Sequence, residues 1–136
     1  PGDPLNPPVY ADTSALAKLF LREAEGPALE VYLDSNELTL VSSQLSEVEL
    51  VRAVSRVDVG KVSRARDLLA SIVLLPITSS VRKAAGDLFP GRVRSLDAIH
   101  LATALEIKAD LNGLLTYDDQ MAKLAEEAAL KVVTPR

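Results

Sequence analysis

The stretch from residue 9 to residue 22, VYADTSALAKLFLR, decides the fold class because it joins a strand to a helix through one acidic residue. Val9–Tyr10 is short and apolar, as expected for a buried strand. Asp12 follows almost at once, and the apolar residues of Thr13–Arg22 recur with the i, i+3, i+4 spacing of an amphipathic helix. A strand that passes directly into a helix is typical of α/β proteins.

The same alternation of short apolar runs and longer helical stretches continues along the rest of the sequence. The runs predict strands at Leu38–Ser42, Val73–Leu75, Leu114–Thr116 and Lys131–Val133, and the stretches between them predict helices at Ala28–Asn36, Gln44–Val57, Val62–Ser71, Ser79–Leu88, Leu96–Lys108 and Gln120–Ala128. Because the strands lack a polar face, we predict a three-layer α/β/α sandwich with a mainly parallel, twisted sheet.

The length of 136 residues and the composition, 48% hydrophobic and 25% charged, favour one globular domain. We place this domain at residues 9–136. Residues 1–8 contain four prolines, and we expect this segment to be disordered or a remnant of trimming. No run approaches about 18 apolar residues and no signal peptide is recognisable, so we expect a cytoplasmic protein without a membrane segment.

The sequence has no cysteine and one histidine, which restricts the kinds of site it can form. Disulfide scaffolds, thiolate metal sites and thiol nucleophiles are excluded. A metal ion would have to be bound by oxygen ligands, which favours Mg²⁺ or Mn²⁺.

Charge is unevenly distributed along the chain. Nine basic and three acidic side chains lie between Leu50 and Ser95, a net charge of +6, so the remainder carries −10 of the total of −4. This pattern fits a basic face beside an acidic site, but it fits solvated helix faces equally well.

Four acidic residues are predicted at one edge of the sheet. Asp12 and Asp118 follow strands, Asp97 opens a helix, and Glu49 lies near the start of another helix. Ligands bind at the carboxyl ends of strands in open α/β sheets. Each acid also has a purely structural interpretation as a helix cap or as a partner of an arginine. Four acids at one edge are harder to explain in this way, since Ser, Thr and Asn cap equally well.

Four motifs resemble those of PIN-domain nucleases of the VapC toxin type. They are YADTSAL at residues 10–16, Ser43 with ELVRA at 49–53, SLDAIHLATA at 95–104 and LTYD at 115–118. The motifs occur in the expected order, and the resemblance covers Val9 to Thr134.

The resemblance implies a metal-dependent endoribonuclease with Asp12, Glu49, Asp97 and Asp118 around Mg²⁺ or Mn²⁺. Asp12 and Asp97 would be the principal ligands, and the bound metal would activate a water molecule against a phosphodiester. It further implies that Ser14 or Thr13 orients Asp12, and that Thr116 supports the loop that carries Asp118.

Some neighbouring residues leave alternatives open. Glu47 competes with Glu49, because residues two apart on a helix point in different directions. Asp119 is at most an auxiliary ligand, and Tyr117 is the one aromatic residue expected near the site. His100 follows Asp97 by one helical turn, and we expect it to be a hydrogen-bonded packing residue.

The resemblance also implies partners, namely a small VapB-like antitoxin, an RNA substrate and a second copy in a homodimer. The helices Thr13–Arg22 and Ala28–Asn36 are candidates for the antitoxin groove. We expect their apolar side chains to exceed the area that one sheet face can cover, namely Leu19, Phe20, Leu29 and Leu33. The alternatives are a non-catalytic protein-binding module and a metal-dependent nuclease that acts on DNA.

Overall fold

The computed structural model describes residues 7–21, 25–36 and 38–136 of the chain. Within these ranges five strands and seven α-helices follow one another. They are β1 (Pro8–Ala11), α1 (Thr13–Lys18), α2 (Gly26–Asn36), β2 (Thr39–Ser43), α3 (Leu45–Val57), α4 (Val62–Ser71), β3 (Val73–Leu75), α5 (Ser79–Asp87), α6 (Ser95–Glu106), β4 (Gly113–Leu115), α7 (Asp119–Glu127) and β5 (Val132–Val133).

The five strands form one sheet in the order β3-β2-β1-β4-β5, and every neighbouring pair is parallel. The central strand β1 pairs with β2 through Val9 and Leu40 and with β4 through Tyr10 and Leu114. Its four residues are all buried, which explains why this strand is apolar on both faces. The predicted parallel α/β sheet is confirmed.

Helices cover both faces of this sheet. Val9, Ala11 and Leu115 belong to one buried cluster, which includes residues of α1 to α4. Tyr10 and Leu114 point to the other face and pack with residues of α6 and α7. Because successive strand residues face opposite sides, one apolar strand serves two cores. The predicted three-layer sandwich is therefore confirmed.

The main difference from the predicted elements is the first helix, which ends at Lys18 instead of Arg22. Leu19 and Phe20 form a turn. A Cβ atom on Gly26, the first residue of α2, would lie 2.9 Å from the Lys18 carbonyl oxygen. Only glycine permits this approach between the end of α1 and the start of α2. Arg22, the last residue of the predicted helix, lies outside the described residues.

The first strand begins at Pro8, one residue earlier than predicted. Pro8 is part of β1, and the carbonyl of Pro7 accepts a hydrogen bond from the amide of Thr39. Residues 1–6 of the segment that we expected to be disordered lie outside the described residues.

The surface argument for a groove on α1 and α2 is wrong. Phe20 and Leu29 are buried in the core, and Leu19 and Leu33 pack against it. The exposed apolar residue of α2 is instead Val31, which is 63% exposed. No helix in the described part of the chain has both the length and the apolar character needed to cross a membrane.

Candidate active site

The strand order places the candidate site at the carboxyl ends of β1 and β4. The chain leaves β1 for β2 and β3 on one side, and later returns to β4 and β5 on the other. A crevice opens where the connections of a parallel sheet diverge in this way. Asp12 comes directly after β1, and Asp118 follows β4 by three residues.

Asp12 is a buried carboxylate, 4% exposed, that accepts three hydrogen bonds. Its Oδ1 accepts from the Ser14 hydroxyl at 2.6 Å and from the Ala15 amide at 3.0 Å, while Oδ2 accepts from the Thr116 hydroxyl. Burial raises the pKa of Asp12, and the three donors lower it again only in part. The folded chain thus holds a carboxylate whose charge it stabilises incompletely.

Thr116 connects Asp12 to the loop that carries Asp118. Its hydroxyl donates to Asp12 and accepts from the Asp118 amide at 3.1 Å. The Asp118 side chain then caps α7 by accepting from the Met121 amide at 2.8 Å. One buried hydroxyl therefore fixes the spacing between two of the predicted acids.

Thr116→Val is expected to lower the free energy of unfolding by about 1–3 kcal/mol, because it leaves a buried acceptor and an amide without their partner. Urea denaturation measures this change. The matched control is Ser55→Ala, which removes an exposed hydroxyl bonded to the Val51 carbonyl and is expected to change stability by less than about 0.5 kcal/mol. Equal effects in the two variants would contradict the role assigned to Thr116.

Glu49 lies on α3 and meets Thr13 and His100. Its Oε1 accepts from the Thr13 hydroxyl at 2.7 Å and lies 2.7 Å from Nε2 of His100. Burial acts to raise the pKa of Glu49, but the hydrogen bonds from His100 and Thr13 outweigh it and the pKa is lowered. Thr13 therefore contacts Glu49, and of the two candidates for orienting Asp12 it is Ser14 that bonds to it.

Glu47, the competing glutamate, is exposed and faces elsewhere. It lines a surface pocket between α3 and α4 together with Val51, Arg66 and Leu69. The structure thus brings Glu49, and not Glu47, toward the other acids.

Asp97 lies in the first turn of α6 and is half-buried. Burial is the largest cause that raises the pKa of Asp97, and the negative charge of Asp118 is the next. The charges of Asp12 and Glu49 raise the pKa further, whereas His100 lowers it. All four predicted acids therefore share one electrostatic environment. Asp119 is exposed at the start of α7, and the Tyr117 hydroxyl donates to the carbonyl of Pro135.

His100 is buried and hydrogen-bonded, as predicted, but its partners belong to the site. Nδ1 lies 2.6 Å from the Tyr10 hydroxyl, and Nε2 meets Glu49. The sequence contained a signal for this position, since His100 stands one helical turn after Asp97. It contained none for Tyr10, which reads only as an apolar strand residue.

The donor set suits a hard cation. Every acid in the cluster offers carboxylate oxygen, and burial raises the pKa of both Asp12 and Asp97, so that a bound cation would stabilise their charged forms. Among the described residues, no three acidic or histidine side chains stand ready to hold one ion together. Mg²⁺ needs no such cage, because it is usually held by one or two carboxylates and keeps several water molecules.

The sequence has relatives of known family. The PIN domain model matches residues 9–127. Ribonuclease VapC46 of Mycobacterium tuberculosis is 42% identical over 129 residues, which cover 93% of this chain and 97% of the relative. Ribonuclease VapC47 of the same species is 38% identical over 131 residues, which cover 93% and 96%.

Solved structures share the fold. VapC20 of Mycobacterium tuberculosis, a sarcin–ricin loop cleaving toxin, matches with a TM-score of 0.73 at 13% identity, over 85% of this chain and 93% of that one. A toxin–antitoxin complex from Klebsiella pneumoniae matches with a TM-score of 0.71 at 22% identity, over 94% and 98%. Sequence and fold agree, and the chain belongs to the PIN-domain family, among its VapC-type members.

Proposed function

We propose that this chain is the toxin of a type II toxin–antitoxin system and acts as an endoribonuclease that depends on Mg²⁺ or Mn²⁺. The observation that carries the proposal is the acid cluster at the divergence point of the sheet, in a chain whose relatives at about 40% identity are named ribonucleases. The proposal places one nuclease domain at residues 9–136, in the cytoplasm.

The proposed roles of the acids follow from their environments. Asp12 and Asp97 are the principal ligands, because the pKa of each is raised and a cation would stabilise both charges. Glu49 and Asp118 complete the site or hold water. When bound, the metal lowers the pKa of a water molecule and stabilises the charge on the leaving oxygen of the phosphodiester. Ser14 and Thr116 keep Asp12 in place during this reaction.

RNA binding is assigned to arginines that flank the acids. Arg52 and Arg56 follow Glu49 by three and seven residues and therefore share its face of α3. Arg94 precedes α6 and stands three residues before Asp97. All three are exposed, and within the described ranges none forms a salt bridge. Free guanidinium groups beside an acidic centre can bind the phosphates that the centre itself repels.

The proposed partners are a VapB-like antitoxin with a basic residue that enters the acidic site, and a second copy of this chain. The proposed antitoxin partner is supported by the fold that this chain shares with proteins solved as toxin–antitoxin complexes. The negative charge of the site would attract such a basic residue.

The proposal is tested by incubating the purified chain with total bacterial RNA and Mg²⁺ or Mn²⁺, and mapping new 5′ ends. We expect discrete cuts that disappear when a chelator is added. Binding to RNA without any cut would favour a non-catalytic module. A parallel incubation with single- and double-stranded DNA checks the alternative of a DNA nuclease, which would cut DNA at least as efficiently as RNA.

A further inference from the structure

Among the described residues, His100 is a buried titratable side chain near the acids to which the proposed reaction assigns no role. It is 1% exposed, and both of its ring nitrogens have partners. It connects the central strand, through Tyr10, to Glu49 on α3. A buried connection between the core of the sheet and one acid of the site suggests a task beyond packing.

The hydroxyl of Tyr10 can be assigned as the donor to His100. The ionised Glu49 carboxylate can only accept, so Nε2 carries the hydrogen of the bond to Oε1, and Nδ1 of the neutral ring is left as an acceptor that faces the Tyr10 hydroxyl. Burial raises the phenolic pKa of Tyr10, so the phenol keeps its proton. Nδ1 then accepts this proton, and Nε2 carries the hydrogen that is donated to Glu49.

This hydrogen bond determines which oxygen of Glu49 is free. Oε1 accepts from both Thr13 and His100, which uses its two lone pairs. Oε2 makes no hydrogen bond among the described residues, although the carboxylate is only 23% exposed. One oxygen is thus fixed by the protein and the other is left for a ligand.

We propose that His100 is a positioning residue: its Nε2–H, directed by the Tyr10 hydroxyl, fixes Oε1 of Glu49 and keeps Oε2 available for a divalent cation or its bound water. The inference rests on the proposed function, since it assigns Glu49 to the metal site. Residues that orient a metal ligand through a hydrogen bond typically change metal affinity by 10–100-fold when removed.

Two substitutions separate orientation from packing. His100→Gln keeps an N–H donor near the position of Nε2, whereas His100→Asn has a similar polarity but is too short to reach Glu49. We expect the affinity for Mn²⁺, measured by titration calorimetry without RNA, to fall by about tenfold or more in the Asn variant and by less than about threefold in the Gln variant. Equal affinities in the wild type and both variants would overturn the inference, and so would equal losses in both variants.

The same titration distinguishes failure of the inference from failure of the proposed function. If the wild type itself binds no Mn²⁺, the metal site is contradicted and not the role of His100 alone. Circular dichroism and thermal unfolding verify that both variants are folded.

A second measurement needs no substitution of His100. The sequence has a single histidine, so long-range ¹H–¹⁵N correlation in the labelled protein reads its protonation without assignment. We expect the hydrogen of the neutral ring on Nε2 alone, where it is donated to Glu49. In Tyr10→Phe, which loses the donor to Nδ1, we expect the hydrogen to stay on Nε2, opposite the Glu49 carboxylate, and the Nδ1 resonance to move toward that of a nitrogen that accepts no hydrogen bond. A proton on Nδ1 in the wild type would overturn the inference even if the His100 variants fail to fold.

Discussion

RNA cleavage by an Asp97→Asn variant is expected to fall by about 10³-fold or more while the fold is retained. The amide keeps the size of the side chain but removes a negative charge and one ligand oxygen. Metal ions supply several kcal/mol of transition-state stabilisation to such reactions, and about 4 kcal/mol corresponds to a factor of 10³ in rate. Asp97 suits this test because it is half-buried in the first turn of α6, so no core contact is lost. Single-turnover cleavage of a mapped RNA site measures the rate.

The matched control is Asp87→Asn, which makes the same chemical change at an exposed position of α5. It is expected to cleave at the wild-type rate, so that a loss specific to Asp97 cannot be attributed to net charge. Undiminished cleavage by Asp97→Asn would show that the nuclease activity belongs to a contaminant or that the site lies elsewhere.

Divalent cations are expected to stabilise the wild-type fold strongly, and Asp97→Asn only weakly. A ligand at 100 times its dissociation constant adds about 2.7 kcal/mol to the free energy of unfolding. Without cations the order is reversed. The Asp97→Asn variant is then the more stable protein, by at most about 1 kcal/mol after solvent screening, because the wild type keeps a repelled carboxylate there. Thermal unfolding with and without Mn²⁺ measures both effects.

In the absence of divalent cations, the higher stability of Asp97→Asn relative to the wild type is expected to depend on pH. The pKa of Asp97 is raised in the folded chain, so ionisation of this group destabilises the fold as the pH rises through the raised value. Below the ordinary aspartate pKa of about 4 the wild-type side chain is neutral as well, and the two proteins converge. An advantage that persists unchanged at low pH would contradict the electrostatic explanation.

The sequence predicted the layers of the fold because these depend on local periodicity. Val9–Ala11 and the amphipathic helices carry a pattern that can be read over a few residues. The end of α1 lies where Lys18 approaches Gly26, the first residue of the next helix, and local periodicity does not describe such a contact. Helix periodicity alone extends α1 by four residues too many.

The candidate site was predicted only in part, for the same reason. The four acids could be named because each stands at a recognisable point relative to a strand or a helix. The contacts that organise them join residues 36, 51 and 90 positions apart, from Thr13 to Glu49, from Glu49 to His100 and from Tyr10 to His100. Local spacing contains no information about such pairs, so the sequence left Thr13 and Ser14 as alternatives for orienting Asp12 and predicted no partner for Tyr10.

The central position of β1 has a consequence for folding of the chain during its synthesis on the ribosome. The strand that leads to Asp12 is flanked by β4, whose residues are made more than a hundred positions later, and Asp12 takes a hydrogen bond from Thr116. A nascent chain that has emerged only as far as α6 already contains Asp12, Glu49 and Asp97, but it lacks one neighbour of β1. Such non-local strand pairing must await the last part of the domain. The pairing that surrounds β1, and with it the contact between Asp12 and Thr116, therefore becomes complete only after β4 and the residues that follow it have been synthesised.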